Sequence, residues 1–371
     1  MLELLSTHTY EQVRELTGWS RGRIHGLALK CGARKTEERI RRRASERAAL
    51  QREAFEEMLG STVTADVLDF MGSLPDRSIS LFVTSVPYNL GKKYGGAAGA
   101  DAMRHVYYHG WLMQIVSEMA RTLKDGGTVV AQLGTTRDDD GAIVPLDVML
   151  FEDFKRAGLT FQNRIIWPTH SGLTPKGRLA ERCETALVFS RGTTPTFNRN
   201  ACRIPQLNPG KRAFKGPNIG RLSGHPLGAS LTDLWNDAAL RHLGHNDPEK
   251  TSHCCQWPVA FAKRSTLLFT NPDDIVCDPF CGSGSSHVAA IEAGRRFIGC
   301  DLFYAEIREP RIAAAKPDTF TPFTGVTEKS FAIWEAEARR VEATPASPMS
   351  ARADARLLLD FLAPALFQET D

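Results

Sequence analysis

From residue 60 onward, strand-length apolar runs alternate with helix-length amphipathic ones. This alternation constrains the fold more than any other feature of the chain. "ISLFVT" (79–84), "TVVAQLG" (128–134), "TFQNRIIW" (160–167), "ETALVFS" (184–190), "DIVCDPF" (274–280) and "RRFIGCDL" (295–302) read as strands. "GWLMQIVSEMARTLKDGG" (110–127), "LDVMLFEDFKRAG" (146–158), "QWPVAFAKRSTLLFT" (256–270) and "SSHVAAIEAG" (285–294) read as helices. Parallel strands need a crossover, and a helix supplies it, so this order predicts an α/β fold with a doubly wound, mostly parallel sheet.

The chain has 371 residues, enough for one large α/β domain with appendages. No apolar run is long enough to span a bilayer, and "MLELLSTHTYEQ" lacks the basic and apolar regions of a signal peptide. A cytoplasmic protein is expected. Its eight cysteines form no repeating framework and read as reduced thiols. Cys254, Cys255, Cys277 and Cys281 lack metal-binding spacing, so no zinc site is expected.

Charge is unevenly spread although its net is only +3. Residues 1–52 hold twelve Lys/Arg and six Asp/Glu, and residues 192–250 hold eight and four. Two basic regions suit a polyanion or a solvated surface. In the first region, Thr9 and Gln12 have capping-box spacing before a short helix with Val13 and Leu16. Gly18 interrupts, and Ser20 can cap a second helix bearing Ile24, Leu27 and Ala28. This predicts a helix-turn-helix, with Arg21, Arg23 and His25 placed to meet DNA. A charged helix over 34–59 follows.

Regular periodicity is lost over 192–250, which predicts an irregular functional segment. A tail holds a helix near 327–342, a linker, and an apolar helix around 351–362. The expected division is a helical region 1–59, an α/β domain 60–325 and a helical tail 326–371.

"DPFCGSGSSHVAAIEAGRRFIGCDL" (278–302) carries the strongest chemistry. A strand ends at Asp278, Gly282 and Gly284 form a loop, a helix follows, and a second strand ends at Asp301. Glycines at such a turn let a ligand approach the backbone, the helix N-terminus favours negative charge, and a terminal acid can hold ribose hydroxyls. The G-S-G-S pattern differs from the usual dinucleotide fingerprint and argues against a nicotinamide dehydrogenase.

This segment resembles the S-adenosylmethionine loop of DNA amino-methyltransferases. "TADVLDFMGSLPDRSISLFVTSVPYNLGKKYG" (64–95) resembles their catalytic segment, and "RIIWPTHSGLTPKGRLAERCETALVFSR" (164–191) a further stretch common in that class. The catalytic segment precedes the cofactor loop, which is similar to the β-class and implies a circularly permuted Rossmann-like methyltransferase fold over about 60–310.

The resemblance implies S-adenosyl-L-methionine as cofactor. It assigns Asp278, Phe280, Gly282, Ser283 and Gly284 to the methionine part, Ser285 and Ser286 to its carboxylate, Asp301 to the ribose and Asp66 to the adenine. His253 and Gln256–Trp257–Pro258 would help close the pocket from the preceding helix. Asp66 as a helix cap and His253 as a surface residue are the structural alternatives.

The same resemblance makes Ser85, Val86, Pro87 and Tyr88 the catalytic tetrad. An exocyclic amino group is a poor nucleophile until two acceptors hold its N–H bonds. The Ser85 hydroxyl and the Val86 carbonyl can supply them, and Tyr88 can stack on an extruded base. The family usually has proline at 86. Valine keeps the carbonyl, and Pro87 still biases it toward an extended backbone, so a working site is expected. Serine as the first letter favours cytosine N4 over adenine N6.

Arg199, Arg203, Lys211, Arg212, Lys215 and Arg221 lie where the family carries target recognition, about 192–250, and are expected to meet double-stranded DNA. "GKKYGGAAG" (91–99) is a glycine-rich loop beside the tetrad. The expected function is methylation of cytosine N4 at a specific DNA site. N6-adenine methylation, an RNA methyltransferase, or a DNA-binding regulator with an inactive methyltransferase body are the alternatives. A homodimer and a cognate restriction endonuclease are the further partners the resemblance suggests.

Overall fold

Every residue of Ile79–Thr84 is buried, as a central strand covered on both faces requires. The computed structural model describes residues 4, 8, 10–30, 34–95, 101–169, 174–318 and 325–343. They fall into two compact units, 1–59 with 73–75, and 60–72 with 76–371.

The larger unit is built on a seven-stranded sheet. In chain order its strands are β1 (Thr62–Val63), β2 (Ile79–Ser85), β3 (Leu123–Leu133), β6 (Thr160–Pro168), β7 (Cys183–Ser190), β10 (Ile275–Asp278) and β11 (Arg296–Cys300). The short pairs β4 (Thr135–Arg137) with β5 (Ile143–Pro145), and β8 (Arg203–Ile204) with β9 (Ala229–Ser230), stand outside it. The spatial order is β1-β11-β10-β2-β3-β7-β6. Pairings from β1 to β3 are parallel, and β7 runs antiparallel to both β3 and β6.

Helices cover both faces. The larger unit carries α4 (Val67–Ser73), α5 (His105–Thr122), α6 (Leu146–Arg156), α7 (Val259–Phe269), α8 (Ser285–Glu292), α9 (Ala305–Ala314) and α10 (Glu328–Ala343). Leu81, Val83, Val130, Ala186, Val188 and Val276 share one core with Phe261 of α7 and Ala289 of α8. Alternate strand residues face the other way, and Phe189 stacks on Phe154 of α6 at 4.9 Å.

Two helix boundaries differ from the periodicity. The helix expected over 110–127 runs over His105–Thr122, and β3 begins at Leu123. Gly126 and Gly127 do not end the helix. They absorb an irregularity between the Ile79↔Leu123 and Leu81↔Thr128 pairings, and a Cβ on Gly127 would lie 2.9 Å from the Ser80 carbonyl. The helix expected from 256 begins at Val259 after Pro258, so His253, Gln256 and Trp257 precede it.

Residues 192–250 have little regular structure but are tied into the core. Cys202, Trp235 and Leu240 are buried there. Arg264 of α7, fully buried, grips Asp237 with two bonds of 2.9 and 2.6 Å. A fork on a carboxylate satisfies a charge that would otherwise be costly to bury.

The smaller unit holds α1 (Tyr10–Thr17), α2 (Arg21–Lys30) and α3 (Arg34–Met58). Gly18, with φ +65°, makes the turn between the first two, and the Ser20 hydroxyl accepts from the Arg23 amide at 3.4 Å. Val13 packs on Ile24, whereas Leu16 is exposed. Thr9, the linker after 343 and the apolar segment around 351–362 lie outside the described residues.

Candidate active site

β2 and β10 are neighbours, yet the chain leaves them in opposite directions, to β3 and to β11. The carboxyl ends of strands at such a switch point form a crevice. The sequence puts Ser85–Tyr88 at one lip and Asp278–Gly284 at the other. Asp278 bolts them together from below. Its Oδ1 accepts from Thr84 at 2.6 Å and from the Phe280 amide at 3.0 Å, and its Oδ2 accepts from Ser286 at 2.5 Å. Burial pushes this carboxyl up to about 6 against the pull of the Ser286 and Thr84 hydroxyls.

The glycine loop is shaped by close approaches. Gly282 has φ +46°, and a Cβ there would lie 2.6 Å from His253 Nε2. Gly284 has φ +79°, and a Cβ would meet Arg308 at 2.8 Å. The Gly282 and Ser283 carbonyls accept from Arg308 at 3.1 Å and Arg311 at 2.6 Å. Asp301 ends the next strand. Its two oxygens accept the Gly282 amide at 2.8 Å and the Phe303 amide at 2.9 Å.

His253 is buried against Tyr304, ring centroids 4.4 Å apart. Its Nδ1 accepts from the Cys255 amide at 3.2 Å, which fixes a neutral tautomer. Burial, then the charges of Lys250, Arg311 and Lys92, push the imidazole down to about 4.

On the opposite lip, the Tyr108 hydroxyl donates to the Pro87 carbonyl at 2.6 Å. Gln132 Nε2 donates to the Tyr88 hydroxyl at 2.6 Å and to Glu184 Oε2 at 2.5 Å. Tyr88 lies over Gly134, where a Cβ would come 2.5 Å from the ring. Burial, then Glu184, raise the Tyr88 phenol well above its ordinary value, so the hydroxyl stays protonated.

Both lips open into one cavity of about 440 Å³. Ser85, Val86, Pro87 and Tyr88 line it together with Asp66, His253, Phe280, Gly282, Ser283 and Asp301. Asp278, Gly284, Ser285 and Ser286 are not among its walls. The hydroxyls of Ser285 and Ser286 turn inward, to the Trp257 carbonyl at 2.9 Å and to Asp278, so those side chains do not reach a ligand as expected. Asp66 lines the cavity, and its Oδ1 accepts the Leu68 amide at 2.8 Å at the head of α4, as a helix cap does.

The basic residues of 192–250 divide. Arg203 is buried, held by Asn200 and by the Gly228 carbonyl at 2.9 Å, which removes it from an accessible surface. Arg212 pairs with Glu337 of α10 at 2.9 Å. Arg199, Lys211, Lys215 and Arg221 are exposed. The last two stand on a short hairpin closed by Ala213 N to Arg221 O at 2.9 Å and Ser223 N to Lys211 O at 2.9 Å. Phe214, 74% exposed, stands beside Lys215 on it. In the smaller unit, Arg21 and Arg23 are exposed, with Arg23 3.9 Å over the Trp19 ring.

Gln132, Glu184, Trp111 and Lys92 also line the cavity and were not singled out from sequence. Gln132 and Glu184 lie at strand ends beside the tetrad, where position alone was the available signal. Trp111 meets Phe280 edge-on at 5.6 Å, a contact between segments far apart in the chain. Residues 96–100 of the glycine-rich loop lie outside the described residues, while Lys92 and Tyr94 reach the cavity.

The family model N6/N4 Mtase, described as DNA methylase, matches residues 79–309. The chain is 34% identical to the Type II methyltransferase M.BglII of Bacillus subtilis over 262 residues, 70% of each protein. It is 28% identical to the DNA adenine methyltransferase YhdJ of Escherichia coli (strain K12) over 251 residues, 65% of this chain and 77% of that one. Among solved structures it is similar to PvuII DNA methyltransferase (cytosine-N4-specific), 20% identical, with a TM-score of 0.48 over 74% of this chain and 90% of that one.

Proposed function

Because the chain belongs to the N6/N4 family of DNA methylases, we propose that it methylates the N4 amino group of cytosine at a specific DNA site. The methyl donor is S-adenosyl-L-methionine. The observation that carries this reading is the single cavity in which Ser85–Tyr88 and the loop from Phe280 to Ser283 face each other. Its volume, about 440 Å³, suits a cofactor-sized ligand with one flat base beside it.

The residues fit the donor. Asp301 sits at the end of β11, where an acid holds a ribose. Phe280 and Trp111 give apolar walls, and Asp66 stands at the rim for an adenine amino group. His253 is neutral at physiological pH and so does not repel a sulfonium. When bound, the donor supplies an activated methyl group on a positively charged sulfur.

The chain's own residues prepare the acceptor. Tyr88 is held by Gln132 over Gly134 and offers its face to an extruded base. Ser85 Oγ and the Val86 carbonyl accept hydrogen bonds from the two amino N–H groups, which frees the nitrogen lone pair for in-line attack. The Tyr108 bond to the Pro87 carbonyl steadies the backbone that presents them. Serine as the first letter of the tetrad supports cytosine. A relative named as an adenine methyltransferase supports N6-adenine as the second reading.

Residues 192–250 are read as the target-recognition region, with Lys211, Lys215, Arg221 and Arg199 on phosphates or base edges. The α1–α2 pair, with Arg21 and Arg23, is read as an additional DNA contact. Incubation of DNA with the protein and the donor, followed by digestion to nucleosides and mass analysis, tests the reading. N4-methylcytosine is expected, and N6-methyladenine alone would replace cytosine with adenine.

A further inference from the structure

Methylation of an amino group releases a proton, and the tetrad has nowhere to keep it. A hydroxyl and a peptide carbonyl accept hydrogen bonds but are too weakly basic to hold a proton near neutral pH. Among the described residues, four carboxylates line the cavity: Asp66, Asp101, Glu184 and Asp301. Both oxygens of Asp301 hold backbone amides, Asp66 takes the Leu68 amide, and Asp101 takes the Leu90 amide at 3.1 Å. Each of those three is committed to at least one backbone amide, and Asp301 and Asp66 face the donor's ribose and adenine in the methyltransferase reading. Glu184 is different, since its Oε2 meets only a side chain, Gln132, and that side chain also holds Tyr88.

Topology explains how a carboxylate reaches this spot. Ser85 is the register partner of Gln132, and Gln132 is the partner of Ala186. β7 runs against its neighbours, so its first residues, not its last, lie at the carboxyl ends of β2 and β3. Glu184 therefore opens its strand where Ser85 closes its own.

We propose that Glu184 takes up the proton that the target amino group gives up on methylation. This rests on the methyltransferase reading of the site. The nitrogen lone pair forms the new N–CH₃ bond. The S–CH₃ pair stays on sulfur and cancels its charge. The N–H pair returns to nitrogen as the proton passes through cavity water to the Glu184 carboxylate. Burial pushes this carboxyl up to about 7, against Lys92 and Gln132 and with help from Glu181. These groups and Tyr88 are the polar side chains set against it. A carboxylate poised there accepts a proton and returns it to solvent between turnovers.

Glu184→Gln is the discriminating variant, because its amide oxygen still accepts from Gln132 and keeps Tyr88 seated. Single-turnover methylation by the wild type is expected to rise with pH through about 7, while Glu184→Gln is about 10²-fold slower and flat. Glu184→Asp, which keeps a base, retains the pH-dependent limb. Infrared difference spectra of the protein without donor or DNA give an independent reading, a buried carboxyl band that titrates near 7 and vanishes in Glu184→Gln. A normal rate and pH profile in Glu184→Gln, with Glu184→Ala slow, would reduce Glu184 to a prop for Gln132 and overturn the proposal. Absence of the band would overturn it too. A wild type that titrates as described but transfers no methyl to DNA would instead refute the methyltransferase reading.

Discussion

The Thr84 hydroxyl donates to Asp278 at 2.6 Å inside the sheet, across the junction between β2 and β10. Thr84 immediately precedes the tetrad, and Asp278 immediately precedes the glycine loop. This buried hydrogen bond joins the two halves of the site where the paired strands β2 and β10 end.

Thr84→Val keeps the shape of the side chain and removes that bond from a buried carboxylate. Unfolding in denaturant should show a loss of about 1–2 kcal/mol. Methyl transfer should fall as well, since the two lips lose a shared anchor.

Substitutions on the two lips should separate by kinetics. Ser85→Ala and Tyr88→Ala should each lower kcat by about 10²-fold or more, with donor affinity little changed. Asp301→Ala removes the acceptor of two backbone amides and should weaken donor binding by about tenfold or more. Titration calorimetry with the donor and single-turnover methylation distinguish the two patterns.

Gly134→Ala offers a test that leaves every polar group in place. The added methyl would sit 2.5 Å from the Tyr88 ring, so the ring must shift. Reduced kcat with normal donor affinity is the expected result, measured with the same two assays.

His253 gives stability a definite pH dependence. Its folded-state value is about 4, below the ordinary 6.5. Between these values the unfolded chain binds a proton and the folded chain does not. The contribution is therefore complete above about pH 6.5 and is lost as pH falls toward 4. A shift of this size corresponds to about 3 kcal/mol. His253→Gln should lose less stability than the wild type between pH 7 and pH 4.5, as followed by denaturant unfolding at several pH values.

The hairpin at 211–223 should act mainly through charge. Lys215→Ala is expected to weaken DNA binding on all sequences and to reduce the slope of log K against log salt by about 1. Arg203→Ala should instead lower stability, because that guanidinium is already spent on Asn200 and Gly228. Fluorescence anisotropy at several salt concentrations measures the first, and thermal unfolding the second.

Much of the larger unit was legible in sequence, because its buried parallel strands are mainly apolar and the helices between them are periodic. The glycine loop was legible because Gly282 and Gly284 need backbone conformations that other residues resist. The inward turn of Ser285 and Ser286 was not. A hydroxyl at a helix start looks the same whether it meets a ligand or Asp278. Arg203 was misjudged for a similar reason, since a basic residue in an irregular segment carries no mark of burial. Glu184 was hidden because a strand's direction decides which of its ends meets the site, and direction is a property of pairing. Gly126 and Gly127 read as a helix stop, yet they serve a bulge whose partner strand lies far back in the chain.

The pairing of β2 with β10 also sets a timetable. Asp278 follows Thr84 by 194 residues. At roughly 5–20 residues per second, ribosomal synthesis leaves about ten to forty seconds between them. During that wait one edge of a strand that is buried from Ile79 to Thr84 in the folded protein has no neighbour. Until the last third of the protein emerges, β2 can pair with β3 on one edge but not with β10 on the other.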